Sequence, residues 1–341
     1  MRRRSILFIV GGLLLACILA EGLFLLFLPA AQTSTQASAP TSNPAGTIIA
    51  ETVTAYVGEP TQPAPTPTPI PTQAPIIIPT GGIPAQVEPI SIPAGTATIL
   101  LMGSDQRPNA GDFRTDVMLL IVIKKDGSVS LVSFPRDLWV YLPENFMQRI
   151  NSAQEFGGFD LVQSTFEYNF GFAPQTFVLT NFNGFKSIIN SLGGVDVLVG
   201  QKLTDSRDGY PGGFTVDPGL VHMDGDTALW YVRARKTTSD LDRLRRAQEV
   251  ILAMGSKLFS VYGLTHIPDV YKAYRGAVVT DLSLQDTVNL LPLLQSLKTD
   301  KIERYAIGSD QVVPFVTSAG ADVLLPRPEA VRELLIQAFG N

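Results

Sequence analysis

The chain has one cysteine, Cys17, and it lies within the first 29 residues. No intrachain disulfide can form, and thiolate chemistry or a cysteine-rich metal centre is excluded from the remainder. Histidine is nearly as scarce. His222 and His266 are the only two, and neither stands at metal-ligand spacing or in a Ser-His-Asp setting, so zinc catalysis and triad hydrolysis are poor readings. Neither GxxxxGKS/T nor GxGxxG occurs, which leaves nucleotide chemistry without its backbone cradle. Positive charge is also lacking: the net charge is -5, and without Arg2, Arg3, Arg4 and Glu21 the rest carries 23 basic against 30 acidic groups, or -7. Binding nucleic acid through the overall field needs the opposite sign, so no nucleic-acid partner is expected.

What is present begins with MRRRS and an apolar run from Ile6 to Leu28 broken only by Glu21. That run is long enough to span a bilayer, and the preceding arginines place the remainder outside the cytoplasm. The expected organisation is a cytoplasmic basic stub at 1–5, a transmembrane helix at 6–28 and a single-pass membrane protein. A signal peptide cleaved near Ala20, or a lipidated Cys17, are the competing readings. Glu21 sits awkwardly in hydrocarbon and would snorkel or face another helix. Residues 29–91 follow as a Pro/Thr-rich extracytoplasmic linker: 13 of the chain's 25 prolines fall between Ala31 and Pro93. Alternating Pro-Thr favours extended chain, so this stretch reads as a stalk.

From Ile92 to the C-terminus the pattern becomes mixed α/β. TATILLMG predicts a buried strand opening into a loop, and VMLLIVI and VSLVSF predict two strands joined at Asp126-Gly127. Helices are expected from Asn151 to Phe170, over FNGFKSIINSLGG, over DGDTALWYVRAR and over LDRLRRAQEVILAMGSKLFSVY, with strands at TFVLT and VDVLV. A glycine-rich loop precedes the third of these helices. The tail adds a helix around SLQDTVNLLPLLQSL, a strand near KIERYAIG and a helix in PEAVRELLIQAF. Interleaved helices and strands predict one layered α/β sandwich rather than two repeats.

Arginine and aspartate remain as the carriers of chemistry. Asp105 and Arg107, Arg114 and Asp116, Arg136 and Asp137, and Arg149 fall near strand ends, and Arg233, Arg235, Asp240, Asp242, Arg243, Arg245 and Arg246 follow later. Guanidinium forks beside a pair of carboxylates suit a pyrophosphate bound with a divalent ion. Taken singly, none of these groups is specific. Spacing alone favours reading the helical arginines as a solvated face laced by Asp240 and Asp242, and Arg136-Asp137 as a strand-ending ion pair. Trp139, Trp230 and Phe166 read as core.

Together, ILLMGSDQR, RTDVMLLIVI, VSLVSFPRDLWVYLP, RINSAQEFGG, LGGVDV, LVHMDGDTALWYVRAR and DLDRLRRAQ stand in an order that resembles the LytR-CpsA-Psr family of cell-envelope proteins over about Ile99 to Glu249. The resemblance implies a catalytic domain at 92–341, folded as a three-layer α/β/α sandwich with a mixed central sheet. Its reaction would move a glycopolymer from a polyprenyl-pyrophosphate carrier to a peptidoglycan sugar hydroxyl. By the same carry-over, Asp105 and Asp116 would hold Mg²⁺, while Arg114, Arg136, Arg233 and Arg235 would grip the diphosphate. Arg107, Arg149, Arg243, Arg246 and Gln248 would line the same site. Ala247 stands where the family has glutamine, so one polar contact is missing or is taken over by Gln248. Asp116 and Asp242 are candidate general bases by chemistry only. The competing functions are a phosphatase or pyrophosphatase acting on the lipid carrier, an envelope-binding scaffold, and a transcriptional attenuator. An acidic domain beyond a membrane helix suits the last one poorly.

Overall fold

The computed structural model describes residues 82–106, 113–144, 146–235, 240–258, 260–283, 286 and 301–340. The expected stub, transmembrane helix and linker, Arg107 and most of the SLQDTVNLLPLLQSL helix lie outside the described residues. Among the described residues no helix is long and apolar enough to cross a membrane.

The centre of the fold is set by three strands: β1 (Ala97–Ser104), β2 (Thr115–Ile123) and β3 (Val129–Phe134). β1 and β2 form one antiparallel hairpin and β2 and β3 another. The expected turn joins the second: Gly127, at φ +83°, donates its amide to the Lys124 carbonyl at 2.9 Å, a left-handed conformation that glycine adopts without a Cβ clash. Nearly every residue of these strands is buried, which is why they read as continuous apolar runs rather than alternating ones. Two short strands, β4 (Trp139–Tyr141) and β5 (Met147–Arg149), lead through a 3₁₀ turn into α1 (Ala153–Phe170), whose helical dihedrals break at Gly157 and Gly158.

β6 (Thr176–Asn181) returns parallel to β1, and Asn181 caps α2 (Phe182–Ser191) by accepting from the Gly184 amide at 2.9 Å. β7 (Val195–Val199) follows. The stretch expected to be a glycine-rich loop instead forms the hairpin β8 (Leu203–Arg207) and β9 (Tyr210–Val216), then β10 (Gly219–Met223) antiparallel to β7. α3 (Gly225–Arg233) and α4 (Asp240–Leu258) are the two expected helices. α5 (Val261–Thr265), α6 (Ile267–Ala277), β11 (Val278–Thr280) and β12 (Ile302–Ala306) complete the main body, and the hairpin β13 (Val312–Val316) and β14 (Asp322–Pro326) precedes α7 (Pro328–Phe339).

The main sheet has the order β11-β6-β1-β2-β3-β12, mixed because β6 runs parallel to β1 and β12 parallel to β3. Strand periodicity sends Leu100, Met102, Leu120, Val132 and Phe134 to one face, where α1 and α7 supply Phe166, Phe170 and Phe339. Ile99, Leu101, Leu119, Ile121 and Leu131 take the other face, under Ile251 and Leu252 of α4. Helices therefore cover both faces. A third apolar cluster joins α2, α3, α4 and β7 around Leu192, Val197, Tyr231, Val250 and Met254.

Packing begins earlier than the expected boundary at residue 92. The Val87 amide donates to the Tyr168 carbonyl at 2.9 Å and Ile90 is buried in the α1 core. Gly171, the left-handed cap of α1 at φ +76°, lets this segment approach: a Cβ there would lie 2.4 Å from the Glu88 carbonyl oxygen.

Candidate active site

The topology brings five chain segments to one end of the sheet. β1, β3, β6 and β12 all end there, and β2 begins there. Loops at the carboxyl ends of such strands are where an open sheet can assemble a site. Asp105 follows β1, Arg114 and Asp116 open β2, and Arg136 follows β3.

Arg136 is the hub. Its Nη1 lies 3.0 Å from Asp116 Oδ1 and its Nε 3.3 Å from Asp137 Oδ2. Burial pulls against the charged form, but the carboxylates of Asp116 and Asp137 outweigh it and hold the guanidinium above its ordinary range. Arg243 on α4 shows the opposite balance. It pairs with Asp240 at 3.1 Å, yet burial lowers its pKa, and nearby Arg136 and Arg235 repel it further. Arg243 Nε is buried and makes no hydrogen bond among the described residues. A desolvated cation beside two others forms a strong positive field, and an anion is what would relieve it. Arg233 and Arg235, at the end of α3 and just beyond it, are exposed and line the same opening. The Arg233 guanidinium sits 4.4 Å over the Phe182 ring, which orients it.

Behind this cationic mouth a cavity of about 1040 Å³ runs between the sheet and the helices. Asp116, Arg233, Arg235 and Arg243 line it together with the apolar Leu119, Val178, Ile188, Leu192, Val270 and Val278, whereas Arg136 reaches it only through Asp116, and Asp105 and Arg114 do not line it. Its wall on α4 is a stripe: Arg243, Ala247, Ile251, Met254 and Leu258 stand three or four residues apart and so share one helix face. The sequence analysis named no residues for such a cavity. The signal was the helical spacing of small and apolar positions after Arg243.

Not every expected residue arrives. Arg149 is turned away, with Nε 3.0 Å from Asp137 Oδ1 and Nη2 donating to the Asp322 carbonyl at 2.7 Å, so it braces the β14 hairpin rather than lining the cavity. Arg246 is 2% exposed and donates to the carbonyls of Tyr231 and Ala234, clamping the end of α3. Burial lowers its pKa. Gln248 is likewise buried; its Nε2 donates to Ser133 Oγ and to the Tyr305 carbonyl, both at 2.9 Å, tying α4 to β3 and β12. It does not take over a polar contact from position 247, because Ala247 itself faces the cavity, where a small apolar side chain leaves room. Asp242 pairs with Arg245 at 3.7 Å and does not line the cavity. Arg107 lies outside the described residues. Trp230, read from sequence as core, is half-exposed at the cavity rim, whereas Phe166 is fully buried.

The carboxylates decide what metal the site suits. Asp105 Oδ1 accepts the Arg114 amide at 2.7 Å, and the adjoining strand end carries Asp116, oriented by Arg136. No group of three or more His, Cys, Asp or Glu among the described residues could hold an ion alone. Two hard carboxylates beside a cluster of arginines fit an ion such as Mg²⁺, which takes one or two protein carboxylates and completes its shell with phosphate oxygens and water.

A family model described as LytR_cpsA_psr matches residues 84–328. The polyisoprenyl-teichoic acid-peptidoglycan teichoic acid transferase TagT of Bacillus subtilis (strain 168) is 31% identical over 209 residues, which are 59% of this chain and 65% of that protein. The corresponding transferase TagU of Oceanobacillus iheyensis is 33% identical over 203 residues, covering 57% of this chain and 61% of that one. The chain thus spans less than two thirds of either curated relative. A solved structure described as TagT bound to LI-WTA superposes with a TM-score of 0.56 at 26% identity, over 75% of this chain and 97% of that one.

Proposed function

The chain belongs to the LytR-CpsA-Psr family, and from that membership we propose that it transfers a glycopolymer from a polyprenyl-diphosphate carrier to a sugar hydroxyl of peptidoglycan. The observation that carries this reading is the joining of a cationic mouth to a long apolar cavity, the two halves a lipid diphosphate requires. The isoprenoid chain occupies the cavity along the α4 stripe. Arg233, Arg235 and Arg243, which line the cavity, take the diphosphate oxygens together with Arg136, which is paired to the cavity-lining Asp116, and Arg114 adds its charge from the start of β2.

In the reaction the acceptor hydroxyl oxygen forms a bond to the glycan-bearing phosphorus. The bond from that phosphorus to the bridging oxygen breaks, and polyprenyl phosphate leaves. Charge develops on the bridging oxygen, where fixed guanidiniums stabilise it without reorganising. The hydroxyl proton needs an acceptor; of the two candidate bases Asp116 lines the cavity, whereas Asp242 faces Arg245. Asp105 and Asp116 would hold Mg²⁺, which would supply charge neutralisation at the diphosphate. The active domain works outside the cytoplasm, anchored to the cell membrane by the apolar segment at 6–28, and draws its energy from the carrier's own diphosphate.

The test follows release of polyprenyl phosphate and transfer of glycan phosphate from a polyprenyl-diphosphate sugar by the full-length protein, with Mg²⁺ or chelator, with and without peptidoglycan. Mg²⁺-dependent transfer that disappears in Arg136→Ala supports the proposal. Release that ignores the acceptor makes the protein a lipid-carrier phosphatase. Binding without turnover in the presence of Mg²⁺ and peptidoglycan makes it a scaffold.

A further inference from the structure

An apolar pair stands on the outside of the β7–β10 ribbon. β7 alternates strictly, with Val195, Val197 and Val199 buried against α4 and with Asp196 and Leu198 turned to solvent. Leu220 of β10 pairs with Leu198, and at 72% and 70% exposed they are the two most exposed large apolar side chains among the described residues. Direct cross-strand pairing sets their Cβ atoms about 5 Å apart, so they form one patch rather than scattered surface leucines. We infer that this patch docks the domain onto the surface of a lipid bilayer, an inference that rests on the lipid-carrier reading proposed above.

The patch adjoins the end of the cavity away from Arg243. Leu258 ends the α4 stripe there, and Leu192, just before β7, lines the same cavity. Gly193 follows Leu192 and packs against Tyr262, where a Cβ would lie 2.8 Å from the ring. Lys257, next to Leu258, stands 3.9 Å from Asp196 Oδ2 and 5.4 Å from the centre of the Tyr262 ring, which is 41% exposed and stacks on His266. His222, two residues from Leu220 on the same face, places Nδ1 2.7 Å from Asp196 Oδ1. At the other end of the ribbon Lys202 pairs with Asp217 at 3.2 Å. Every charge bordering the leucines thus has a local partner, and what is left over is apolar surface with an amphipathic tyrosine and a lysine stem beside it. That set suits the headgroup boundary of a bilayer. Two leucines fall far short of the roughly 800 Å² per partner of a standard protein interface, so a second copy of the chain is a poorer occupant.

A tether alone does not supply this contact. Fully extended, residues 29–81 span up to about 180 Å, several times the length of the α4 stripe. The segment that enters the domain is strapped to the α1 and α7 side: Tyr168 Oη donates to the Pro84 carbonyl at 2.8 Å, and Arg332 Nη1 to the Glu88 carbonyl at 3.1 Å. That is the face of the main sheet opposite α4, so the strap leaves the ribbon uncovered. A carrier whose hydrocarbon sits in the bilayer is met rarely by a domain free to range over such a radius. A surface that partitions into the bilayer raises the effective concentration of the two without any new contact to the carrier itself.

The test places the full-length protein in phosphatidylcholine nanodiscs with brominated acyl chains, which quench a tryptophan that enters them. Leu220→Trp is read against Val316→Trp, an exposed site on the β13–β14 hairpin, each after subtracting the parent signal of Trp139 and Trp230. The fluorescence added by Leu220→Trp is expected to be quenched at least about threefold more than that added by Val316→Trp. Equal quenching, or none, overturns the inference. Self-association abolished by Leu198→Asp with Leu220→Asp, in the absence of lipid quenching, gives the face to a second copy and overturns it as well. The same double variant is expected to raise KM about tenfold for a polyprenyl-diphosphate sugar embedded in the disc and to leave KM for a soluble short-chain donor unchanged. An equal rise for both donors counts against docking. Absence of turnover with either donor in the parent protein defeats the carrier reading instead, and the quenching still decides this one.

Discussion

Arg246→Ala should destabilise the domain by about 3–5 kcal/mol, the range for removing one partner of a buried charged contact. The native guanidinium is 2% exposed and holds the carbonyls of Tyr231 and Ala234, the last turn of α3 and the residue after it. Truncation leaves both acceptors facing an empty volume, and a hydrogen bond to a charged group contributes roughly 1.5–3 kcal/mol. Part of the loss is recovered because a desolvated charge is no longer buried, which is why the sum is not larger. At roughly 2–4 °C per kcal/mol for a domain of this size, Tm should fall by about 10 °C. Arg246→Lys should recover little, since a compact ammonium cannot span two carbonyls as the planar fork does. Differential scanning calorimetry measures the shift, and lipid-diphosphate binding well below the transition measures the site. Unchanged Tm with lost binding would refute the structural role and return Arg246 to the substrate contacts that the sequence resemblance implies.

Arg136→Lys should keep the charge but cut transfer by roughly 100-fold, because one ammonium cannot face Asp116, Asp137 and a phosphate together; near-wild-type kcat/KM would count against the hub role. Gln248→Leu should lower stability by about 1–3 kcal/mol by leaving Ser133 and the Tyr305 carbonyl without their donor, read from urea unfolding midpoints. Burial, with the Glu249 carboxylate accepting from its hydroxyl, pushes the Tyr231 pKa above the ordinary 10.0. Its stabilising contribution is therefore complete below that value and lost above it, where the unfolded chain gives up a proton the folded one keeps. Urea midpoints should fall between about pH 9 and 11, and Tyr231→Phe should flatten that decline. Gly171→Ala should cost more than about 1 kcal/mol, since the new Cβ meets the Glu88 carbonyl at a positive φ; an unchanged midpoint would show that residues 87–90 do not need this approach.

Much of the fold was legible because its central strands are long apolar runs with a strong turn between β2 and β3, and because Asp224 caps α3 and both α3 and α4 carry helical spacing. The β8–β9 hairpin was missed although Asp208-Gly209 is the same two-residue turn signal as Asp126-Gly127; Pro211 and two further glycines hide the second strand, whose pairing sets the buried Leu203 opposite the buried Val216. The site was legible as a set of charges, but not as an arrangement. Sequence order cannot distinguish Arg243, aimed into the cavity, from Arg246, three residues later and buried behind α3. A helix turns by about 100° per residue, so small offsets decide which guanidinium reaches a ligand. Gln248 and Ala247 show the same ambiguity, with the polar side chain inward and the methyl group toward the cavity.

That rotation gives the α4 stripe a phase. From Arg243 to Leu258 one face passes from cation to methyl to branched and thioether side chains over roughly 22 Å at 1.5 Å per residue. An amphiphile lying along it is read as on a graduated scale, since a slip of one turn, about 5.4 Å, would draw a phosphate off its guanidinium and onto Ala247. Inserting a single residue between Arg243 and Ile251 would swing the two halves of the scale out of alignment. In the proposed transfer reaction the spacing along this helix would match the distance from diphosphate to lipid tail, a length that the loops at the mouth do not set.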